Sequence, residues 1–96
     1  MNQIPFETVL RLCPDVRFRL LEGEAIVVRQ QSAEVLGLNR LGSRILELFD
    51  GSRTLAEVAA RLAGEIDVDD GRLTADLLAF AAELEASGVV ERVEKP

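Results

Sequence analysis

The sequence predicts an α+β fold: a three-stranded antiparallel sheet followed by three helices. Three observations predict it. Val16, Phe18 and Leu20 alternate with arginines at a period of two, and two further short strand-like runs follow tight turns up to residue 38. From Asn39 the period becomes 3.6, the mark of helices with one buried face. The chain has 96 residues, is 48% apolar and 29% charged, and so holds one domain's worth of foldable polymer.

Residues 1–14 carry no clear period, and Pro5 and Pro14 interrupt any regular element. They are expected to form an N-terminal arm or extended lead-in to a folded unit spanning residues 15–93. Val16, Phe18 and Leu20 alternate with Arg17 and Arg19 to give the first strand. Glu22-Gly23-Glu24 turns the chain into residues 25–29, a second strand rich in β-branched side chains. Residues 30–33 turn it again into a third strand, residues 34–38. Connections this tight join antiparallel neighbours, so the strands form a meander.

Asn39 is placed to cap the first helix, whose stripe is Leu41, Ile45, Leu48 and Phe49. Gly42 would let another element come close, and Asp50-Gly51 ends the helix. Thr54-Leu55-Ala56-Glu57 fits a capping box, in which hydroxyl and carboxylate each satisfy a free backbone N–H. Leu55, Val58, Ala59 and Leu62 follow at core spacing, Gly64 stops the second helix, and Ile66 tucks into the core. Asp67, Asp69 and Asp70 gather where the positive end of a third helix favours carboxylates. The ligand spacing and terminal Glu of a calcium loop are missing. The third helix is expected from about residue 72 to residue 87. Its stripe is Leu73, Leu77, Phe80, Ala81 and Leu84, widened by Leu78, Ala82 and Ala86. Gly88 closes it with an apolar contact from Val89, and residues 89–93 add a short strand. Strands first and three helices after is an order seen in winged helix-turn-helix variants.

Composition narrows function. The chain has no His, Trp or Tyr and a single cysteine, Cys13. Without His there is no Ser-His-Asp triad, no His-activated thiol and no His-ligated zinc. One cysteine makes neither an internal disulfide nor a thiolate metal cluster. The longest apolar run, residues 77–82, is far short of the ~20 residues that cross a membrane, and no charged-then-apolar leader opens the chain. A soluble cytoplasmic protein without membrane, cofactor or catalytic centre is the expectation.

The net charge of −6 is uneven. Residues 1–48 balance six arginines against six carboxylates, whereas residues 49–96 set five cations against eleven acids. The third helix, with Arg72 against Asp76, Glu83 and Glu85, is acidic, unlike a helix that reads a DNA groove. No nucleic-acid partner is expected, although a winged-helix DNA-binding protein is the rival that the fold class raises.

The stretch Val35-Leu36-Gly37-Leu38-Asn39, then Gly42, Ile45-Leu46, Asp50-Gly51, Thr54, Glu57, Leu62, Asp76, Phe80, Leu84 and Gly88-Val89, resembles the PqqD-like family. Its members act in pyrroloquinoline quinone synthesis and in other peptide-modifying pathways. The same fold is known as the RiPP recognition element, for ribosomally made, post-translationally modified peptides. The resemblance spans about residues 14–92 and rests on the order and spacing of these pieces together. It implies a non-catalytic peptide chaperone. The leader of a precursor peptide would add as a strand to the edge of the third strand, in a groove shared with the third helix. The domain would then present it to a modifying enzyme, often a radical S-adenosylmethionine enzyme. The matching positions are Glu34, Val35, Leu36, Gly37 and Leu38 on the strand, with Leu73, Asp76, Leu77, Phe80, Ala81 and Leu84 on the helix. Members dedicated to the quinone pathway tend to carry Pro-Glu ahead of the third strand; Ala33-Glu34 stands here, which favours another peptide.

The residues themselves agree with strand addition on one point. In a meander the outer strands are the edges, and edges are normally guarded by charge, Pro or bulges. The first strand carries Arg17 and Arg19; the third carries only Glu34 at its start, and Gly37 lets another backbone approach. An equally simple reading makes Gly37 a bulge and covers the edge with helix or tail. The same edge would also suit a homodimerising adaptor.

Overall fold

The computed structural model describes residues 4–67 and 69–93, with Asp70 described by its backbone alone. Residues 1–3 of the expected lead-in, and the Asp70 carboxylate expected at the third helix start, lie outside the described residues. In chain order the elements are β1 (Val9–Leu12), β2 (Val16–Leu21), β3 (Glu24–Arg29), β4 (Glu34–Gly37), α1 (Arg40–Leu48), β5 (Asp50–Thr54), α2 (Leu55–Ala63), α3 (Asp70–Ala86) and β6 (Val90–Arg92).

The predicted meander is present: β2, β3 and β4 form an antiparallel sheet in that order, with β2 and β4 as its edges. Glu22 (φ +52°) and Gly23 (φ +83°) alone connect β2 to β3. Positive φ at both central residues is the turn whose twist matches paired strands, and it sets the hairpin register.

A second sheet, in the order β5-β1-β6, was not expected in this form. The lead-in supplies its middle strand. Leu10 is fully buried, and the strand pairs antiparallel with β5 on one side and β6 on the other. Four residues between two prolines offer too few alternations to show a period. The strand β5, Asp-Gly-Ser-Arg-Thr, has no apolar residue, so only its pairing with β1 reveals it.

The helices keep their predicted caps. The Asn39 side chain accepts from the Gly42 N–H at 2.8 Å. The Glu57 N–H donates to Thr54 Oγ1 at 3.1 Å while the Thr54 N–H donates to Glu57 Oε1 at 2.8 Å, completing the capping box. Helix α3 starts two residues before the expected position, because Asp69 is its cap and accepts from the Gly71 N–H at 3.2 Å. Its end is the predicted one: Gly88 has φ +78°, its N–H donates to the Glu85 carbonyl and the Val89 N–H to Leu84. The α1 stripe differs at its start. Leu41 is 39% exposed, and Leu46 joins Ile45, Leu48 and Phe49 in the core instead.

The core lies between the meander and the helices. Leu55, Val58 and Leu62 of α2 meet Leu73, Leu77, Ala81 and Leu84 of α3, over Leu46 and Val27. Ser43 joins α1 to the sheet from within: its Oγ accepts from the Ala25 N–H at 2.6 Å and donates to the Asn39 carbonyl at 2.7 Å.

Candidate functional site: an open strand edge beside a groove

Among the described residues, strand β4 pairs with β3 on one side only. Its register fixes which backbone groups stay unpaired. The Leu38 N–H donates to the Ala25 carbonyl at 2.9 Å, so Leu38 turns its backbone toward β3, with the Ala25 N–H taken by Ser43 Oγ. In an antiparallel ladder bonded pairs recur every second residue. Leu36 opposite Val27 and Glu34 opposite Arg29 are therefore bonded as well. Val35 and Gly37 turn their N–H and C=O groups outward, two donors and two acceptors on the open side.

Side chains alternate across the same strand. Glu34, Leu36 and Leu38 share the face of Ala25, Val27 and Arg29, which looks toward the helices. Val35 shares the outer face with Val28. On the helix side a groove of 320 Å³ runs between β3–β4 and the C-terminal end of α3. Val27, Arg29 and Leu36 form one wall and Ala86, Ser87 and Val89 the other. Leu36 is 40% exposed and Val35 67%, which is high for apolar side chains of an ordered strand.

Arg29 closes one end. Its Nη1 donates to Glu34 Oε1 at 2.7 Å, and Ser32 Oγ donates to the same oxygen at 3.0 Å. The guanidinium lies across Gly88, where a Cβ would stand 3.0 Å from Nη2. Two turns earlier on α3, Phe80 reaches back to α1: a Cβ on Gly42 would lie 3.2 Å from the Phe80 ring and 3.6 Å from Leu38. The close approach read from Gly42 is thus made by α3.

The predicted site residues divide. Glu34, Val35, Leu36 and Gly37 are exposed on the edge strand, with Leu38 half-buried after it. Phe80 is half-buried between Leu38 and α1, and Asp76 is exposed one turn earlier, ion-paired with Arg72. Leu73, Leu77, Ala81 and Leu84 are not brought to the groove. Each is at most 4% exposed and packs in the core, so they hold the helix in place and do not face the open edge. The width of the α3 stripe is used by α2 and the sheet. Arg29, Ala86, Ser87 and Val89 are groove residues that sequence reasoning did not single out. The Gly88-Val89 signal marked the helix end correctly. That the end returns under β3 depends on the tertiary path.

Other chemistry is sparse. The Cys13 thiol is pushed up from its ordinary range by burial and then by the Glu91 and Asp15 carboxylates, which disfavours the nucleophilic thiolate. Among the described residues no three His, Cys, Asp or Glu side chains gather as a metal site. Among them, too, no helix is long and apolar enough to cross a membrane.

Residues 24–90 match the model of the family described as Coenzyme PQQ synthesis protein D (PqqD). Among solved structures, TbiB1 in complex with the TbiA(beta) leader peptide superimposes with a TM-score of 0.80 at 22% identity, covering 88% of this chain and 99% of that one. The lasso peptide synthetase B1 complexed with its leader peptide gives a TM-score of 0.78 at 22% identity, covering 86% and 98%. The heterocyclase TruD gives 0.63 at 20% identity over 90% of this chain and 12% of that one. These likenesses establish the shared fold. No match was found among curated proteins.

Proposed function

The chain belongs to the PqqD family, and from that premise we propose that it is a non-catalytic chaperone for the leader of a ribosomally made precursor peptide. The unit that carries this role is residues 15–93, seated on the β1 strand. The observation that supports the reading most is the β4 edge, unpaired among the described residues, whose outward groups at Val35 and Gly37 lie beside a groove of 320 Å³ lined by Val27, Leu36, Ala86 and Val89 with Arg29, Glu34 and Ser87. The leader adds as an antiparallel or parallel strand along residues 34–38, and alternate side chains enter the groove toward Phe80, Ala86 and Ser87. The leader complexes of the two small structural relatives support the same role. The loaded protein then presents the peptide to a modifying enzyme in the cytoplasm, a radical S-adenosylmethionine enzyme being the class the family resemblance suggests.

Magnitudes say what a leader must contain. The four outward backbone groups give ~0.5–1.5 kcal/mol each when paired, while ordering each residue of the guest costs ~1–2 kcal/mol. Backbone pairing therefore roughly cancels. A micromolar complex requires ~8 kcal/mol, which two to four buried apolar side chains at ~1.5–3 kcal/mol each can supply.

Selection of binders from a random sixteen-residue peptide library tests this. Enriched peptides should carry large apolar residues two apart. Amide shifts in the complex should concentrate at residues 34–38 and 80–89. Shifts confined to α2, or tight peptides without apolar anchors, would exclude the reading. The empty edge can also pair with β4 of a second copy; in that case mass at rising concentration falls back to monomer when a selected peptide is added.

A further inference from the structure

The outer face of the meander, opposite the helices, carries a second surface. Across β2, β3 and β4 the register sets Arg17 beside Val28 and Val35 in one row, and Arg19 beside Ile26 and Gly37 in the next. Leu21, 57% exposed, extends the apolar strip toward the hairpin turn. Arg17, Arg19, Leu21, Ile26 and Val28, with Phe18, line a shallow depression of 430 Å³ with cations along its β2 side, and Val35 borders it on β4. Apolar strips left open on a folded domain mark interaction surfaces.

The charges on this face have no carboxylate partner among the described residues. Every other described arginine except Arg40 lies within 4.0 Å of a carboxylate. Arg17 instead donates to the Pro14 and Val16 carbonyls, and Arg19 has no carboxylate near it among the described residues. In a chain of net charge −6, two neighbouring cations with no carboxylate partner among the described residues, beside exposed apolar side chains, are a departure from the rest of the surface.

We infer that this outer face docks a separate protein through a patch of carboxylates around an apolar centre. A second copy is a poor occupant. Face-to-face pairing would oppose Arg17 and Arg19 to their own kind, and pairing with the acidic helical side of another copy gives a head-to-tail contact that does not close. An anionic membrane repels the net charge and gains little from two arginines. A guest strand on β4 would place its outward side chains next to Val35, continuous with the strip. A partner seated here therefore touches the domain and the guest at once, which suits the enzyme that receives the peptide. That identification rests on the peptide-binding reading, whereas the docking face itself does not.

The test uses the full chain with photoreactive p-benzoylphenylalanine at Leu21 or at Val28, and at Ala60 on α2 as a control, irradiated in a lysate of the source organism. The expected result is an adduct with one other protein from Leu21 and Val28 and none from Ala60, its cross-linked segment rich in Asp and Glu. The double variant R17E/R19E should lower its yield by ~10-fold or more, since like charges then face each other, and R17Q/R19Q should fall between. Both variants should melt near the parent and bind library-selected peptides with unchanged affinity. No adduct, an adduct of the chain with itself, recovery with phosphatidylglycerol vesicles, or an adduct indifferent to charge reversal would overturn the docking face. Loss of peptide binding in the parent protein would overturn the peptide reading alone.

Discussion

Two residues set the geometry of the site from outside it. Ser43 is buried and its hydroxyl is the partner of the Ala25 N–H, inside the meander that carries the open edge. Ser43→Ala leaves that donor without an acceptor, and a buried unpaired group costs ~1–3 kcal/mol. Urea denaturation should register a loss in that range; an unchanged midpoint would mean that water replaces the hydroxyl. Gly88 is the other. Its φ of +78° and the Arg29 guanidinium 3.0 Å from where a Cβ would sit leave no strain-free place for a side chain. Gly88→Ala should cost ~1–2 kcal/mol from the backbone alone. It should also displace Arg29 and weaken peptide binding, both readable from a thermal melt and a titration. The glycine itself was legible in the sequence, because a helix stripe ended there. Its neighbour across the groove was not, since nothing local links Arg29 to Gly88.

At the scale of the element, β4 matters because only half of its hydrogen bonding is used. Val35→Pro removes one outward N–H and leaves the bonds to β3 at Glu34, Leu36 and Leu38 intact. Proline is tolerated on an edge strand when its missing N–H faces outward. The variant should therefore melt close to the parent yet bind selected peptides roughly 2–10-fold more weakly, the value of one hydrogen bond. Equal affinity would show that the guest does not pair with β4. The meander was legible because Val16, Phe18 and Leu20 alternate with arginines, and because residues 25–29 are rich in β-branched side chains between two tight turns. The β5-β1-β6 sheet was not. Its middle strand has four residues and β5 has none that is apolar, so burial leaves no trace in the pattern. The α3 half of the site was misjudged for a related reason. Periodicity shows that Leu73, Leu77, Ala81 and Leu84 lie on one face, but not whether a neighbouring helix or a guest covers it.

Over the whole molecule, ion pairs tie the helical layer together on the side away from the groove. Arg44 of α1 binds Glu65, just past α2, through two bonds of 2.8 and 2.6 Å, and Arg61 adds a third contact at 3.2 Å. The Arg44 guanidinium, with Arg61 behind it, holds the Glu65 carboxyl down to about 2 from an ordinary 4.5. A carboxyl whose folded value is depressed stabilises the fold above its unfolded value and loses that contribution as pH falls through the folded one. The melting temperature of the parent should therefore exceed that of Glu65→Gln at neutral pH. The gap should close between about pH 4.5 and pH 2. Asp50 and Glu57, lowered by their bonds to Ser52 and to Thr54, act in the same direction. A gap that persists at pH 2 would place its origin in packing.

The pairing of β1 with β6 has a consequence for how such a domain travels between polypeptides. Leu10 stands opposite Arg92, and the Val93 N–H donates to the Val9 carbonyl at 2.8 Å. The start of β1 and the end of β6 thus lie side by side in a sheet other than the one that carries β4, while residues 4–8 run on past β1 and seat Ile4 in the core. A host sequence joined ahead of Ile4 and after Val93 would keep this sheet whole and leave the strand-binding edge free. A circular permutant that joins the ends and opens at the β2–β3 hairpin should keep both its melt and its peptide affinity.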